Sequence, residues 1–396
     1  MVRGKDSTAA LENTESIAGA VDVSGFWQFP LEDELVVARP GVEGLFFFNS
    51  TARLLWEERR RGASAAEAAR TFADLFGIPT ERAQRDIEDL LAGWSAGILA
   101  PLKEGGTGGH AMPPERPGGA ADAVPVDCVV NGKRFRVVLE AGDLVEEIAP
   151  RLAGLSVAGA PHERPDVTFT LANGEDRVLV FRDDVLIARE EKTAGARAIL
   201  LQEMTRACDP ARDVRAILHA GACGTDTRAV LLAGASQAGK STLCAALMAR
   251  GLRCYGDDSA VLHGDFQVAG MPFPLTLRKS SWPILESLIR REQLRIHTRY
   301  GVEVGYLDSN LPAGASPAAP VEALLFVEYQ PHAAAVMKPL PVFETLLRLR
   351  GSGFWIEHTR ADIARFLEWL TRLPRFSLTY SRLDEAADAV ADLLAR

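Results

Sequence analysis

The chain has 396 residues, 47% of them apolar, with 53 acidic against 44 basic side chains and a formal charge of −9. At roughly 100 to 200 residues per domain, this length predicts two or three units with real cores. The acidic balance argues against a nucleic-acid partner held by general electrostatics. No run approaches the roughly 18 to 20 apolar residues of a membrane helix, and charged Lys5, Asp6, Glu12 and Glu15 interrupt the N-terminus. A cytoplasmic protein without a membrane partner is expected. Five cysteines, Cys128, Cys208, Cys223, Cys244 and Cys254, form no C-x-x-C pair and read as small buried side chains.

Residues 1–24 are small, polar and aperiodic, which predicts a disordered leader. Extended segments follow at Phe26–Phe29, Leu35–Ala38 and Leu45–Phe48, separated by Pro30, Pro40, Gly41 and Gly44. Three helices are predicted next. The first is capped at Asn49 or Ser50 and turns Ala52, Leu55 and Trp56 inward. The second opens on the capping box Ser64-Ala-Ala-Glu67, with Ala68, Phe72, Leu75 and Phe76 on one face. The third follows Pro79-Thr80 with Ala83, Ile87, Leu90, Leu91 and Trp94 at helical spacing. Strands followed by three short helices predict a winged-helix unit over residues 25–102.

Residues 103–124 are rich in Gly and Pro and predict a flexible linker. Beyond them, Asn131-Gly132, Asn173-Gly174 and Asp183-Asp184 separate alternating runs and predict hairpins. A helix is expected over 194–208, a buried strand over Ala323–Tyr329, and helices over 342–349, 363–373 and 383–394.

Chemistry concentrates after residue 217. An apolar strand runs into Gly234-Ala235-Ser236-Gln237-Ala238-Gly239-Lys240-Ser241-Thr242 and then into a helix, which is G-x-x-x-x-G-K-[ST] in its strand, loop and helix context. Such a loop turns successive backbone N–H groups toward phosphates, and the helix N-terminus adds its dipole. Lys240 can bridge the terminal phosphates of ATP, and Ser241 can ligate Mg2+. A short strand then ends in Asp257-Asp258. One carboxylate suffices for magnesium and its neighbour can be a general base. Which aspartate is the base stays open from sequence; Asp257 is assigned that role and Asp258 the metal. Arg278 and Lys279 form a basic pair that can clamp phosphate or substrate, or simply be solvated.

Two resemblances sharpen this reading. The run from Leu45 to Leu99 carries Asn-x-Thr-Ala-x-x-x-Trp from Asn49, a Phe76-Gly-Ile-Pro79 junction and a Gly97-Ile-Leu99 exit. It resembles the PqqD family, the precursor-recognition element of ribosomal peptide modification. That resemblance implies a leader peptide added as a strand beside the Leu35–Ala38 and Leu45–Phe48 segments and the Arg82, Arg85 face of the third helix.

The order His219, Gly234–Ser241, Asp257-Asp258 resembles the catalytic domain of the HPr kinase/phosphorylase family, similar in fold to phosphoenolpyruvate carboxykinase, over residues 125–396. It implies His219 near the transferred phosphate beside catalytic Asp257 and Lys240, and it allows a homo-oligomer. Gln237 and Thr242 stand where that family has glycine and an acid, and its HPr-associated signature block has no counterpart. The chain looks closer to the related peptide kinases of lasso-peptide pathways. The expected class is therefore an α/β protein that phosphorylates a Ser/Thr hydroxyl of a bound precursor peptide. The rival readings are a small-molecule kinase with a regulatory front domain, and a nucleotide-dependent peptide chaperone without phosphotransfer.

Overall fold

The computed structural model describes residues 25–100, 122–140, 142–155, 164–208, 213–311 and 317–395. The leader expected over 1–24 and nearly all of the linker expected over 103–124 lie outside them. The protein is mixed α/β. Its described residues divide into two compact units, one within 1–112 with 358–364, the other within 113–357 with 365–396.

In the first unit, strands β1 (Trp27–Leu31), β2 (Glu34–Arg39) and β3 (Val42–Phe48) form an antiparallel sheet in that order, followed by helices α1 (Ser50–Arg60), α2 (Ala65–Phe76) and α3 (Thr80–Ala96). Local chemistry sets the helix starts. Asn49 Oδ1 accepts from the Ala52 N–H at 2.9 Å, and Ser64 and Glu67 exchange both capping-box hydrogen bonds. Fully buried Trp56 meets Trp94 edge-on, while Phe48 stacks on Trp94 with centroids 4.8 Å apart.

Two expectations fail in this unit. Leu75 and Phe76 are 61% and 48% exposed, because Ala69 and Ala73 occupy the buried stripe of α2 with Ala68 and Phe72. The Leu35–Ala38 segment lies in β2, which is hydrogen-bonded to β1 on one side and β3 on the other. It cannot accept an added strand, whereas β3 lies at the end of the sheet order.

The second unit opens with β4 (Val124–Val130), β5 (Lys133–Leu139), α4 (Asp143–Ala153), β6 (Val167–Asn173), β7 (Val178–Arg182), β8 (Val185–Glu190) and α5 (Thr193–Cys208). Their sheet runs β4-β5-β6-β7-β8, with β5 and β6 parallel. That pair requires a crossover, which α4 supplies. Asn131 and Gly132 both take positive φ, as a two-residue hairpin turn demands.

The core sheet follows, built from β9 (Val214–Leu218), β10 (Gly221–Gly224), β11 (Ala229–Ala233), β12 (Arg253–Gly256), β13 (Ala260–His263), β14 (Gln267–Ala269), β18 (Ala318–Tyr329), β19 (Val336–Pro339), β20 (Phe354–Ile356) and β21 (Arg375–Tyr380). Helix α6 (Lys240–Ala249) follows β11, and the short α7 spans Trp282–Leu285. Helices α8 (Val342–Ser352), α9 (Arg360–Arg372) and α10 (Leu383–Ala395) complete the chain. A small sheet, β15 (Leu275–Arg278), β17 (Val302–Leu307) and β16 (Leu294–Arg299), runs in the order β15-β17-β16. Among the described residues no helix is long and apolar enough to cross a membrane.

Candidate functional site

The site grows from the C-terminal end of β11. This strand is buried along its whole length, between antiparallel β10 and parallel β18, so it reads as an unbroken apolar run. The chain leaves it through Gly234 at φ +145°, where a Cβ would stand 2.7 Å from the Val327 carbonyl. Gly239 closes the loop at φ +97°, and a Cβ there would overlap the Tyr380 hydroxyl. Only glycine fits either position. Ala235, Ser236 and Gln237 form the exposed crest, with Gln237 at φ +70°; Ala238 and Gly239 are half-buried. Gly239 then caps α6 without a side-chain hydrogen bond, leaving the first amides of the helix for an anion.

Lys240 is 7% exposed, and its Nζ donates to the carbonyls of Gly234 at 2.8 Å and Ala235 at 3.1 Å. Burial lowers its pKa, against the opposing pull of Asp258 and Asp257. The lysine thus curls over the loop it follows. Thr242 turns away, its hydroxyl donating to Ser281 Oγ at 3.0 Å.

Strand β12 delivers the aspartates. Asp257 is 6% exposed; its Oδ2 accepts from the Thr276 N–H at 3.1 Å, and its Oδ1 is buried without a partner. Burial, then the Asp258 charge, push the Asp257 carboxyl up to about 7, only partly offset by hydrogen bonds from Thr276 and Ser241. Asp258 goes the other way. Burial would raise it, but Arg151, Arg197 and His219 together hold it below the usual carboxylate range. Arg151 Nη2 lies 3.2 Å and Arg197 Nη2 3.9 Å from Asp258 Oδ2.

His219 follows β9, anchored by its backbone N–H to the Gly353 carbonyl at 3.0 Å. Its Nδ1 lies 2.9 Å from the Asp258 carbonyl oxygen. A carbonyl can only accept, so Nδ1 carries the proton and Nε2 keeps a lone pair. Burial and the nearby Lys240 lower the pKa of this imidazole, favouring its neutral form.

Lys240, Ser241, Asp257, Asp258 and His219 are therefore brought together. Ser241 neighbours Asp257 rather than Asp258, whose carboxylate turns to the arginines. Arg278 and Lys279 sit at the end of β15, the strand whose Thr276 holds Asp257; both are exposed, and Lys279 pairs with Glu303. Arg82 and Arg85 are exposed on α3 of the first unit, Arg82 lying 3.9 Å from Asp86.

Sequence reasoning missed Arg151 and Arg197, which reach the site from α4 and α5. The apolar spacing Leu144, Ile148, Leu152 was a signal for α4, but Pro150 interrupts it. It also missed the meeting of Cys223, Cys244 and Cys254, whose sulfurs lie within 4.8 Å of one another, buried where β10, α6 and β12 meet. The Cys254 thiol donates to the Gly256 carbonyl at 3.3 Å. A larger open groove of about 710 Å³, lined by Arg215, Phe266, Glu322, Arg365 and Trp369 among others, contains no residue of the predicted site.

The chain matches no protein-family model and no curated protein.

Proposed function

We propose that this chain is an ATP-dependent kinase: its second unit is a P-loop domain related to HPr kinase, and its first a PqqD-like, winged-helix element that captures a ribosomally made precursor peptide. The acceptor is a Ser or Thr hydroxyl of that peptide. The observation that carries the reading is the opposed behaviour of two adjacent carboxyl groups beside a glycine-rich loop and its lysine. Asp257 is poised near neutrality and Asp258 is held ionised. Pairs pushed apart in this way divide base and electrostatic roles between them.

In the proposed reaction, the loop amides and the α6 N-terminus cradle the phosphates of ATP. Lys240 exchanges the carbonyls of Gly234 and Ala235 for phosphate oxygens. Asp257, with a pKa near the working pH, accepts the proton of the attacking hydroxyl. His219 stays neutral and keeps its Nε2 lone pair facing away from the Asp258 carbonyl it binds.

The donors are of the kind magnesium takes, a hydroxyl on Ser241 and an ionised carboxylate on Asp258, and the two would hold the ion together once Asp258 releases Arg151 and Arg197. When bound, that ion would neutralise charge on the transferring phosphate. The first unit supports peptide capture through β3, whose place at the end of its sheet suits an added strand. Tethering the peptide to the same chain raises its effective concentration at the kinase site.

Incubation of the full chain with ATP, magnesium and the precursor peptide should add the mass of one phosphate to the peptide. ATP consumption that is indifferent to the precursor, with no change in peptide mass, would favour a chaperone.

A further inference from the structure

Arg151 and Arg197 come from helices that contribute nothing to the glycine-rich loop, yet both point into its chemistry. Arg151 is 4% exposed, in the interior of the protein. The Nε atoms of both arginines are buried without a hydrogen-bond partner. Their terminal nitrogens converge on a single carboxylate oxygen, Asp258 Oδ2.

Behind them Arg197 Nη1 reaches Glu147 Oε1 at 2.5 Å, Arg299 lies 3.8 Å from the same oxygen, and the Tyr300 hydroxyl donates to Glu147 at 3.3 Å. The cluster holds three guanidiniums, Arg151, Arg197 and Arg299, against two carboxylates, Glu147 and Asp258. Lys240 adds a further positive charge next to it, offset in part by Asp257. A half-buried cluster with a surplus of cations and unspent donors is suited to take up an anion. Guanidinium forks match phosphate oxygens in both geometry and charge.

We propose that Arg151 and Arg197 are catalytic residues that grip the phosphoryl group as it transfers, and that Asp258 occupies them only in the nucleotide-free protein. The inference rests on the kinase reading above and concerns the two cations that hold Asp258. The cavity beside Arg151, Asp257 and Asp258 is only about 20 Å³, room for a single water. Because their terminal nitrogens are held on Asp258 Oδ2, the guanidiniums meet a phosphoryl group only as that carboxylate leaves them. During transfer a bond forms from the acceptor oxygen to the terminal phosphorus, and the bond from that phosphorus to the β,γ-bridging oxygen breaks. The electron pair leaves with ADP, and the hydroxyl proton passes to Asp257. Negative charge spread over the three equatorial oxygens is what the two arginines stabilise.

The test compares MgADP with MgADP plus aluminium fluoride, a mimic of the phosphoryl group in flight, on the full chain by calorimetry. Arg151→Lys and Arg197→Gln should bind MgADP within about twofold of wild type and lose at least about tenfold in affinity for the fluoroaluminate complex. A role confined to holding α4 and α5 in place predicts equal losses for both ligands, or a lowered melting temperature with no selective loss. Either result overturns the proposal, as does a fluoroaluminate complex as tight in both variants as in wild type. Should one variant fail to fold, the other decides. If wild type binds neither ligand, the nucleotide site itself falls and this inference with it. If wild type binds both and the variants are indifferent, only the arginine role falls.

Discussion

Asp257 and Asp258 are consecutive residues whose carboxyl groups are driven in opposite directions, Asp257 up to about 7 by burial and its neighbour's charge and Asp258 down beneath two guanidiniums. The split is positional. Asp257 Oδ2 finds one backbone N–H, from Thr276, whereas Asp258 Oδ2 finds Arg151 at 3.2 Å.

The raised pKa of Asp257 has a stability consequence in the protein free of nucleotide and magnesium. An unfolded aspartate titrates near 3.9, so below about pH 4 both states hold the proton and nothing is lost. As pH rises from about 4 to 7 the unfolded chain ionises first and folding stability falls; above 7 the cost is constant. Asp257→Asn should therefore be more stable than wild type above pH 7, by up to about 4 kcal/mol at about 1.4 kcal/mol per pKa unit, with the gap closing toward pH 4. Urea melts across this range measure it. Asp258 has the opposite sign: its contribution is present above about pH 4 and is lost as pH falls further.

Gly239→Ala places a methyl group against the Tyr380 hydroxyl and forces alanine to φ +97°. The backbone alone costs about 1–2 kcal/mol, and the overlap adds to it. Adding Tyr380→Phe should recover part of the lost stability by removing the hydroxyl, but not the part due to φ. Equal denaturation midpoints for the single and double variants would show that the contact carries no strain.

In the first unit, Ser64→Ala removes the acceptor for the Glu67 N–H at 3.2 Å and one half of the capping box. The expected cost is about 1 kcal/mol, read as a shifted urea midpoint with an unchanged slope.

Reversing Arg82 and Arg85 to Glu tests peptide capture without disturbing packing. Both side chains are exposed, and the Arg82 to Asp86 pair at 3.9 Å is a surface pair worth little. The double variant should keep its melting temperature and bind a labelled leader peptide at least about tenfold more weakly. Unchanged binding would remove this face of α3 from the recognition surface and leave β3 as the remaining candidate.

Much of the architecture was legible because its signals are local. Capping residues marked the starts of α1 and α2, Asn131-Gly132 marked a hairpin, and the loop string carried its glycines, lysine and hydroxyls in one contiguous run. What escaped depends on pairing across the chain. No periodicity reveals that β2 is the central strand of its sheet, or that Ala69 and Ala73 rather than Leu75 and Phe76 face the core of α2. Nor does any local pattern join Arg151, Arg197 and Asp258, whose nearest approach spans 107 positions between Arg151 and Asp258. The same holds for Cys223, Cys244 and Cys254, which lie apart in sequence and converge only through β10, α6 and β12.

The central claim is transfer of phosphate from ATP to a peptide hydroxyl by the Lys240 and Asp257 machinery. Its most direct test is mass spectrometry of the precursor peptide after incubation with MgATP and wild type, Lys240→Ala or Asp257→Asn protein. The account predicts one added phosphate with wild type and a loss of at least about 100-fold in the rate of its formation with either variant. A phosphopeptide formed at the wild-type rate by both variants would contradict it.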